Sequence, residues 1–167
     1  LFSLTLPAFA METQIPCTAK PYDYQYQDDT RAISINKISE NDLTYFLIDV
    51  QLADVSDFHT GLSGDKVSGS LEPLSTMASR HGAVLAVNGD DYGAHKFGTI
   101  IRNGELLRAH DTTRNMLIVD KAGNMSVIAD RSNENPGALS KQLLADGVWQ
   151  TFEFGPELVR NGQAVSF

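Results

Sequence analysis

The sequence predicts an α+β fold: a largely antiparallel or mixed sheet built from hairpins, with two short helices at about residues 72–81 and 136–146. Apolar segments of strand length outnumber helical segments, and most are joined by short turns of Asn, Gly or Asp. Each helical segment begins near a proline and ends at a glycine. Hairpin-linked strands accompanied by few helices are typical of the α+β class.

The predicted strands follow from alternating apolar residues and from turn chemistry. In RAISINKI (31–38) and LTYFLIDVQL (43–52) apolar residues recur at every second position, and turn-forming residues separate the two segments. We therefore expect an antiparallel hairpin there. Three further hairpins are predicted where turn residues that tolerate positive φ lie between apolar segments, at Asn103-Gly104, Gly123-Asn124 and Asn161-Gly162.

Proline and glycine mark the ends of the two predicted helices. Pro73 lies near the first turn of one helix and Gly82 ends it, while Asn135 is a plausible N-cap for the other. The first helix leads into AVLAV (83–87), a continuous apolar run of strand length. This run predicts a buried central strand.

The N-terminal residues predict a secreted or cell-envelope protein. Residues 1–10, LFSLTLPAFA, combine an apolar run with a small-x-small ending, which is typical of the cleavage end of a signal peptide; a buried first strand is the alternative. Residues 11–30 contain two prolines and three tyrosines and are interpreted as a linker or N-terminal arm. Residues 31–167 are interpreted as the N-terminal part of a single domain.

Composition narrows the function classes. The 167 residues carry 21 acidic side chains against 13 Lys and Arg, a net charge of -8, so no basic surface for nucleic acid is expected. The single cysteine, Cys17, cannot form an intrachain disulfide or a thiolate zinc site. The N-terminal apolar run is too short to span a membrane, so no transmembrane segment is predicted. Composition does not determine the oligomeric state.

The stretch AVNGDDYG (86–93) is the strongest candidate for a binding site. It lies at the exit of the predicted buried strand, where a rigid element would hold side chains toward the surface. A purely local tight turn is the alternative, although a turn does not require Asp91. The adjacent carboxylates of Asp90 and Asp91 could hold Ca²⁺ or Mg²⁺. Successive side chains on an extended backbone point apart, so we expect no metal or cofactor.

Four strings carry a family resemblance. GAVLAVNGDDYG, FGTIIRNGELLR, LIVDKAGN and FEFGPELVRNGQ, in this order and spacing, resemble the phosphodiester glycosidase domain family. That family includes the vertebrate uncovering enzyme and bacterial members associated with exopolysaccharide. The resemblance spans about residues 31–167. It implies a hydrolase that removes a sugar from a sugar-1-phosphodiester, with a carbohydrate or sugar-phosphate substrate in glycoconjugate or exopolysaccharide material.

Two features depart from the family pattern. Asp91 stands where family members carry the first of two aromatic residues. The family also continues into an Arg-Thr-Ala-Ile-Gly segment and a late Asp-Gly-Gly motif, whereas this sequence stops at Phe167. We therefore expect an internal fragment of a longer protein, with hydrolase activity in the full-length protein and not in this piece alone.

The chemistry of a glycosyl phosphodiester suggests roles for particular residues. Cleavage requires a positioned water or carboxylate at the anomeric carbon and stabilisation of the departing phosphate. Asp90 and Glu157 are the candidate catalytic acid and base. Arg102 is a candidate phosphate ligand, with a solvated hairpin flank as the alternative. The candidate substrate-binding residues are Asn88, Gly89, Asp91, Tyr92, Gly98, Arg102, Gly155 and Pro156. His95 is expected to be an exposed loop histidine.

Two alternatives remain open from the sequence. The Phe-Gly pairs at 97–98 and 154–155 precede similar Arg-Asn-Gly turns, either because two hairpins chose the same turn chemistry or because both corners meet at one pocket. In place of an enzyme, the same cleft could serve a non-catalytic carbohydrate-binding module.

Overall fold

The computed structural model describes residues 23–68, 71–129 and 135–166. The described residues divide into two compact units, the first ending at Gln51 and the second beginning at Leu52. The described residues contain ten strands, two α-helices and two short 3-10 helices (Val55–Asp57 and Ser63–Asp65), which agrees with the predicted α+β class. The predicted signal-peptide remnant, Cys17 and the first part of the predicted linker lie outside the described residues.

The first unit is a three-stranded sheet. Its strands are β1 (Tyr24–Gln27), β2 (Arg31–Glu40) and β3 (Leu43–Leu52), hydrogen-bonded in the order β1-β2-β3. The predicted hairpin between β2 and β3 is confirmed. Its two turn residues, Asn41 and Asp42, have φ of 49° and 63°, as a type I′ turn requires. Most of β3 is exposed, and Ile33 of β2 is buried.

The second unit contains three groups of strands. β4 (Thr99–Arg102) pairs with β5 (Glu105–Ala109), and β9 (Val159–Arg160) pairs with β10 (Gln163–Ala164). The third group has the antiparallel order β7-β6-β8 and comprises β6 (Met116–Asp120), β7 (Met125–Ile128) and β8 (Val148–Glu153). All three predicted hairpins are present, and both Asn-Gly turns have positive φ at each residue.

The two predicted helices are confirmed as α1 (Leu74–Arg80) and α2 (Pro136–Ala145). Asn135 caps α2 as predicted, because its side-chain oxygen accepts the Ala138 N–H at 3.0 Å. Leu143 of α2 lies in the core with residues of β4, β6 and β8: Ile101, Met116, Ile118 and Val148. Neither helix is long and apolar enough to cross a membrane, a finding that covers the described residues.

The predicted buried strand at 83–87 is wrong. The chain has no strand there, and Val84 and Val87 are 44% and 65% exposed. The run follows directly on Gly82, whose φ of 60° turns the chain at the end of α1. None of the strand pairings among the described residues includes it. A continuous apolar run forms a strand only where a partner strand accepts its backbone hydrogen bonds, so apolar character alone misassigned it.

Contacts between β4 and β8 position the loop that precedes β4. The Ile101 N–H donates to the Thr151 hydroxyl at 2.9 Å, and the Gly104 N–H donates to the Trp149 carbonyl at 2.8 Å. The Thr151 hydroxyl in turn donates to the carbonyl of Thr99 at 3.0 Å. These bonds place the loop around residues 88–98 beside the C-terminal end of β8, where the candidate site is found.

Candidate functional site

The loop that follows the AVNGDDYG motif is held by Arg108 of β5. Its guanidinium donates to the carbonyls of Tyr92 at 2.7 Å, His95 at 2.9 Å and Phe97 at 2.7 Å. The Tyr92 hydroxyl also accepts the Ser63 N–H at 3.0 Å. Tyr92, a predicted substrate-binding residue, is thus also an anchor of the loop. No local pattern in the sequence indicates the role of Arg108, because its partners lie 11 to 16 residues away.

Asp90 and Arg102 form a buried ion pair. Arg102 Nη2 lies 2.6 Å from Asp90 Oδ1, and the two side chains are 4% and 8% exposed. The other Asp90 oxygen accepts the Glu153 N–H at 3.1 Å, and Arg102 also donates to the Thr151 carbonyl. Arg102 is therefore not the solvated hairpin flank that the sequence left open. Both residues tie the 88–98 loop to β4 and β8.

Gly98 makes room for a buried carboxylate. Oε1 of Glu153 accepts the Thr99 N–H at 2.7 Å, and Glu153 is 4% exposed. A Cβ added at Gly98 would lie 2.8 Å from Glu153 Cδ, and the φ of Gly98 is +93°. The chain passes this carboxylate too closely for any side chain at residue 98. Glu153 was not predicted as part of the site.

Asp91 belongs to a separate cluster of charged and aromatic side chains. Its Oδ1 lies 2.8 Å from Arg114 Nη1 and 3.2 Å from His95 Nε2. The Arg114 guanidinium lies over the ring of Phe97 at 4.9 Å, and His95 stacks on the same ring at 3.7 Å. Hydrogen bonding from Arg114, and secondarily from His95, lowers the pKa of Asp91 below its ordinary value, so the carboxylate is ionised at neutral pH.

His95 is not the exposed loop histidine that was expected. Its side chain is 13% exposed because Phe97 covers one face of the ring. Its Nδ1 lies 3.2 Å from the Phe97 carbonyl oxygen, and its Nε2 faces Asp91. A neutral imidazole has one N–H, and in the tautomer that carries it on Nε2 the ring donates to Asp91.

A pocket of about 420 Å³ lies next to this cluster. Three of its lining residues, Asp91, Gly155 and Pro156, were predicted substrate-binding residues. Sequence reasoning missed the other four, which are Thr113, Arg114, Asn115 and Phe154. Three of them belong to the segment between β5 and β6. The polar composition of that segment is the feature of the sequence that could have indicated a site there.

The remaining predicted site residues lie outside the lining of this pocket. Glu157 pairs with Arg160, whose Nη2 is 2.5 Å from Glu157 Oε2. With its amide oriented to donate to the Ala129 carbonyl, Asn115 accepts the Glu157 N–H at 3.1 Å, so Glu157 borders a lining residue. Asn88 and Gly89 are exposed. Within the described residues no three acidic, histidine or cysteine side chains converge as a metal site.

The two Phe-Gly corners lie near the same residues. Phe154 and Gly155 line the pocket, and Phe97 lies under Arg114, which also lines it. Gly98 abuts Glu153, the residue before Phe154. These contacts favour the alternative in which both corners serve one site.

Comparison with known proteins identifies a matching family. A family model described as phosphodiester glycosidase matches residues 81–167, which is more than half of the chain. No curated protein and no solved structure matches. The matched segment contains the Asp90–Arg102 pair and all the residues that line the pocket.

Proposed function

Because the chain belongs to the phosphodiester glycosidase family, we propose that its full-length protein hydrolyses a sugar-1-phosphodiester and releases the sugar. We further propose that the substrate is glycoconjugate or exopolysaccharide material and that the protein acts in the cell envelope or after secretion. The apolar, small-x-small character of residues 1–10 supports this location. Among the structural observations, the guanidinium of Arg114 on the pocket wall carries the proposal.

Arg114 suits the phosphate of such a substrate. Its side chain is 38% exposed, and its Nη1 is engaged by Asp91. Nη2 and Nε make no polar contact with the described residues, which leaves donors for phosphate oxygens. Cleavage at the anomeric carbon develops negative charge on the departing phosphate, and a pre-positioned guanidinium stabilises that charge.

Phe154 is apolar, in contrast to the charged Arg114, and suits the sugar part of the substrate. Phe154 is 62% exposed although it lines the pocket. Gly155 and Pro156 extend this apolar surface. Ligand pockets commonly combine an apolar wall with a few polar groups that orient the ligand. The apolar wall would pack against the C–H face of a sugar ring whose phosphate contacts Arg114.

Asp90 and Glu157 remain the proposed catalytic carboxylates. Asp90 is buried and accepts bonds at both oxygens, while Glu157 pairs with Arg160, whose side chain is 59% exposed. Acid and base roles need two carboxylates in different surroundings, and these surroundings differ. Either carboxylate would exchange a present partner for a substrate or water during the reaction.

The proposal is tested by measuring sugar release in the full-length protein. Wild-type protein should release free sugar from one or more sugar-1-(methyl phosphate) diesters. Arg114→Gln should lower kcat/KM by about 10²-fold, because loss of one transition-state donor has roughly that effect. Asp90→Asn and Glu157→Gln should abolish release.

Arg31→Gln is the matched control for Arg114→Gln. Arg31 also pairs with an aspartate, Asp28, and is similarly exposed at 34%, but it lies in the first unit. The Arg31→Gln substitution should leave kcat/KM unchanged. If wild-type protein releases no sugar from several such diesters, the hydrolase proposal is wrong.

The ion pairs of both candidate carboxylates favour a second candidate function, that of a non-catalytic carbohydrate-binding module. In the described structure neither Asp90 nor Glu157 lacks a cationic partner. Binding of the diesters by wild-type protein without any release of sugar would identify this function.

A further inference from the structure

We infer that Asp91 determines the specificity of the pocket by binding a sugar hydroxyl while Arg114 binds the phosphate. The pocket would then select phosphodiesters that carry a hydroxyl-bearing sugar over phosphodiesters that carry only alkyl groups. This inference rests on the proposed function, because it assigns the substrate class of the same pocket. Its evidence is the geometry of the Asp91 carboxylate.

The two oxygens of Asp91 are used unequally. Oδ1 accepts from both Arg114 Nη1, at 2.8 Å, and His95 Nε2, at 3.2 Å. Oδ2 makes no polar contact with the described residues. The side chain is 45% exposed and lines the pocket. One oxygen therefore anchors the carboxylate, and the other is available to a ligand.

The chemistry of that oxygen selects donors. An ionised carboxylate has no proton to donate, so it accepts hydrogen bonds only. Sugar hydroxyls donate, and a hydrogen bond from a hydroxyl to a carboxylate is short and charge-assisted. Arg114 beside it offers only donors, which match the unprotonated oxygens of a phosphodiester. The pair thus presents an acceptor for the sugar next to donors for the phosphate.

The same carboxylate disfavours simple anions. A phosphodiester bound at Arg114 must lie close to the negative charge of Asp91, and like charges at such short distances repel each other. A sugar hydroxyl bound to Oδ2 offsets this repulsion, whereas an alkyl group does not. Specificity then arises from one attractive and one repulsive element.

His95 keeps Asp91 in place for this role. The imidazole stacks on Phe97 with an interplanar angle of 4°, and its Nδ1 lies 3.2 Å from the Phe97 carbonyl oxygen. Its Nε2 contact with Asp91 then restricts the carboxylate from one side, while Arg114 restricts it from the other. Restraint before binding lowers the entropy cost of capturing a ligand.

The test compares the affinities of two singly charged probes by isothermal titration calorimetry. One probe is the phosphonate analogue of glucose-1-(methyl phosphate), in which a CH2 group replaces the glycosidic oxygen so that it keeps its single charge but cannot be hydrolysed, and the other is dimethyl phosphate. Wild-type protein should bind the glucose probe more tightly. Asp91→Ala should lower this preference about tenfold, by weakening the glucose probe and strengthening dimethyl phosphate. Asp91→Asn, which keeps the shape of the side chain, should lower it to a smaller extent.

Two controls separate the roles of the pair. Asp28→Ala removes an aspartate that is also paired with an arginine, but in the first unit, and it should leave the preference unchanged. Arg114→Gln should weaken both probes to a similar extent, because both carry the same single negative charge. Circular dichroism of each variant identifies any that does not fold.

The inference is overturned if folded Asp91 variants keep the wild-type preference for the glucose probe over dimethyl phosphate. This includes the case in which the affinities for both probes fall equally, which is the result expected if Asp91 has only a structural role. It is also overturned if wild-type protein binds the glucose probe no more tightly than dimethyl phosphate, or binds neither. Failure of the hydrolase proposal gives a different result, namely the absence of sugar release, and the binding preference remains measurable in that case.

Discussion

At the scale of single residues, adjacent acids in this chain have different roles. Asp90 pairs with the buried Arg102, whereas Asp91 pairs with the half-exposed Arg114 at the pocket. These neighbours in sequence thus reach different surroundings. The two carboxylates therefore have separate cationic partners.

Substitution of Gly98 tests how closely the backbone at this residue packs against the buried carboxylate of Glu153. We expect Gly98→Ala to lower the free energy of unfolding by about 2–4 kcal/mol, since a positive φ costs about 1 kcal/mol and overpacking adds about 1–3. The added Cβ would meet the buried Glu153. Urea denaturation measures the difference.

Gly123→Ala is the matched control for Gly98→Ala. Gly123 also has a positive φ, +83°, but nothing lies within 4 Å of its added Cβ. It should show the backbone cost alone, about 1 kcal/mol. Equal destabilisation of the two variants would contradict the steric role of Glu153.

At the scale of elements, side-chain contacts join strands and loops that are not joined by backbone hydrogen bonds between strands. Arg102 lies at the end of β4, and its partner Asp90 lies in the loop that precedes this strand. Asp90 also accepts from the backbone of Glu153 in β8. The pair therefore fastens the pocket-bearing loop to two strands. Rings of Phe152 and Tyr92, 4.7 and 5.9 Å from the guanidinium carbon, shield it from water.

Arg102→Met should be strongly destabilising. It leaves Asp90 buried without its counter-ion, and removal of one partner from a buried ion pair costs about 3–5 kcal/mol. The double variant Asp90→Leu/Arg102→Met should lose less than the sum of the single losses, because no unpaired charge remains. Thermal and urea unfolding of the three variants measure this coupling.

Arg160→Met is the control for Arg102→Met. Arg160 also pairs with an acidic side chain, Glu157, but it is 59% exposed. Water screens such a pair, so we expect little change in stability. Additive losses at Asp90 and Arg102 would show that the buried pair is not coupled.

At the scale of the whole molecule, the two units differ in how they bury their strands. In the second unit, β6 lies between β7 and β8 and carries the buried residues Met116, Ile118 and Val119. In the first unit, β3 is an edge strand and is exposed along most of its length. The family match and the candidate site both fall within the second unit.

Hydrogen exchange should reflect this difference. We expect amides of β6 and β8 to exchange much more slowly than those of β3, because exchange protection follows burial and local contact density. Mass spectrometry of peptides covering 116–120, 148–153 and 43–52 measures the rates. Similar protection of all three segments would contradict the expected difference between the units.

Much of the fold could be predicted because its signals are local. The turns Asn103-Gly104 and Asn161-Gly162 formed as expected, since Asn and Gly tolerate the positive φ that these turns require. Pro136 and the cap Asn135 marked the start of α2 for similar reasons. The strand predicted at 83–87 failed, because a strand also needs a pairing partner that the local sequence does not specify.

The candidate site was predicted less completely than the fold. Asp91, Gly155 and Pro156 line the pocket, but Arg114, Asn115 and Phe154 were missed. Arg114 lies 23 residues from Asp91 in sequence, and no spacing rule connects them. The pairing of Arg102 with Asp90 likewise depends on β4 lying beside β8.

The sequence alone therefore determined the α+β class, the hairpin turns, the helix ends and the family resemblance, because each of these depends on a residue and its near neighbours. Only the tertiary structure decided which charges pair and which side chains share a pocket. Two features of the structure show this: Asp90 lies against Arg102, and Asp91 lies between His95 and Arg114. Such contacts join residues that are distant in the chain, and only the packing of the folded strands and loops brings them together.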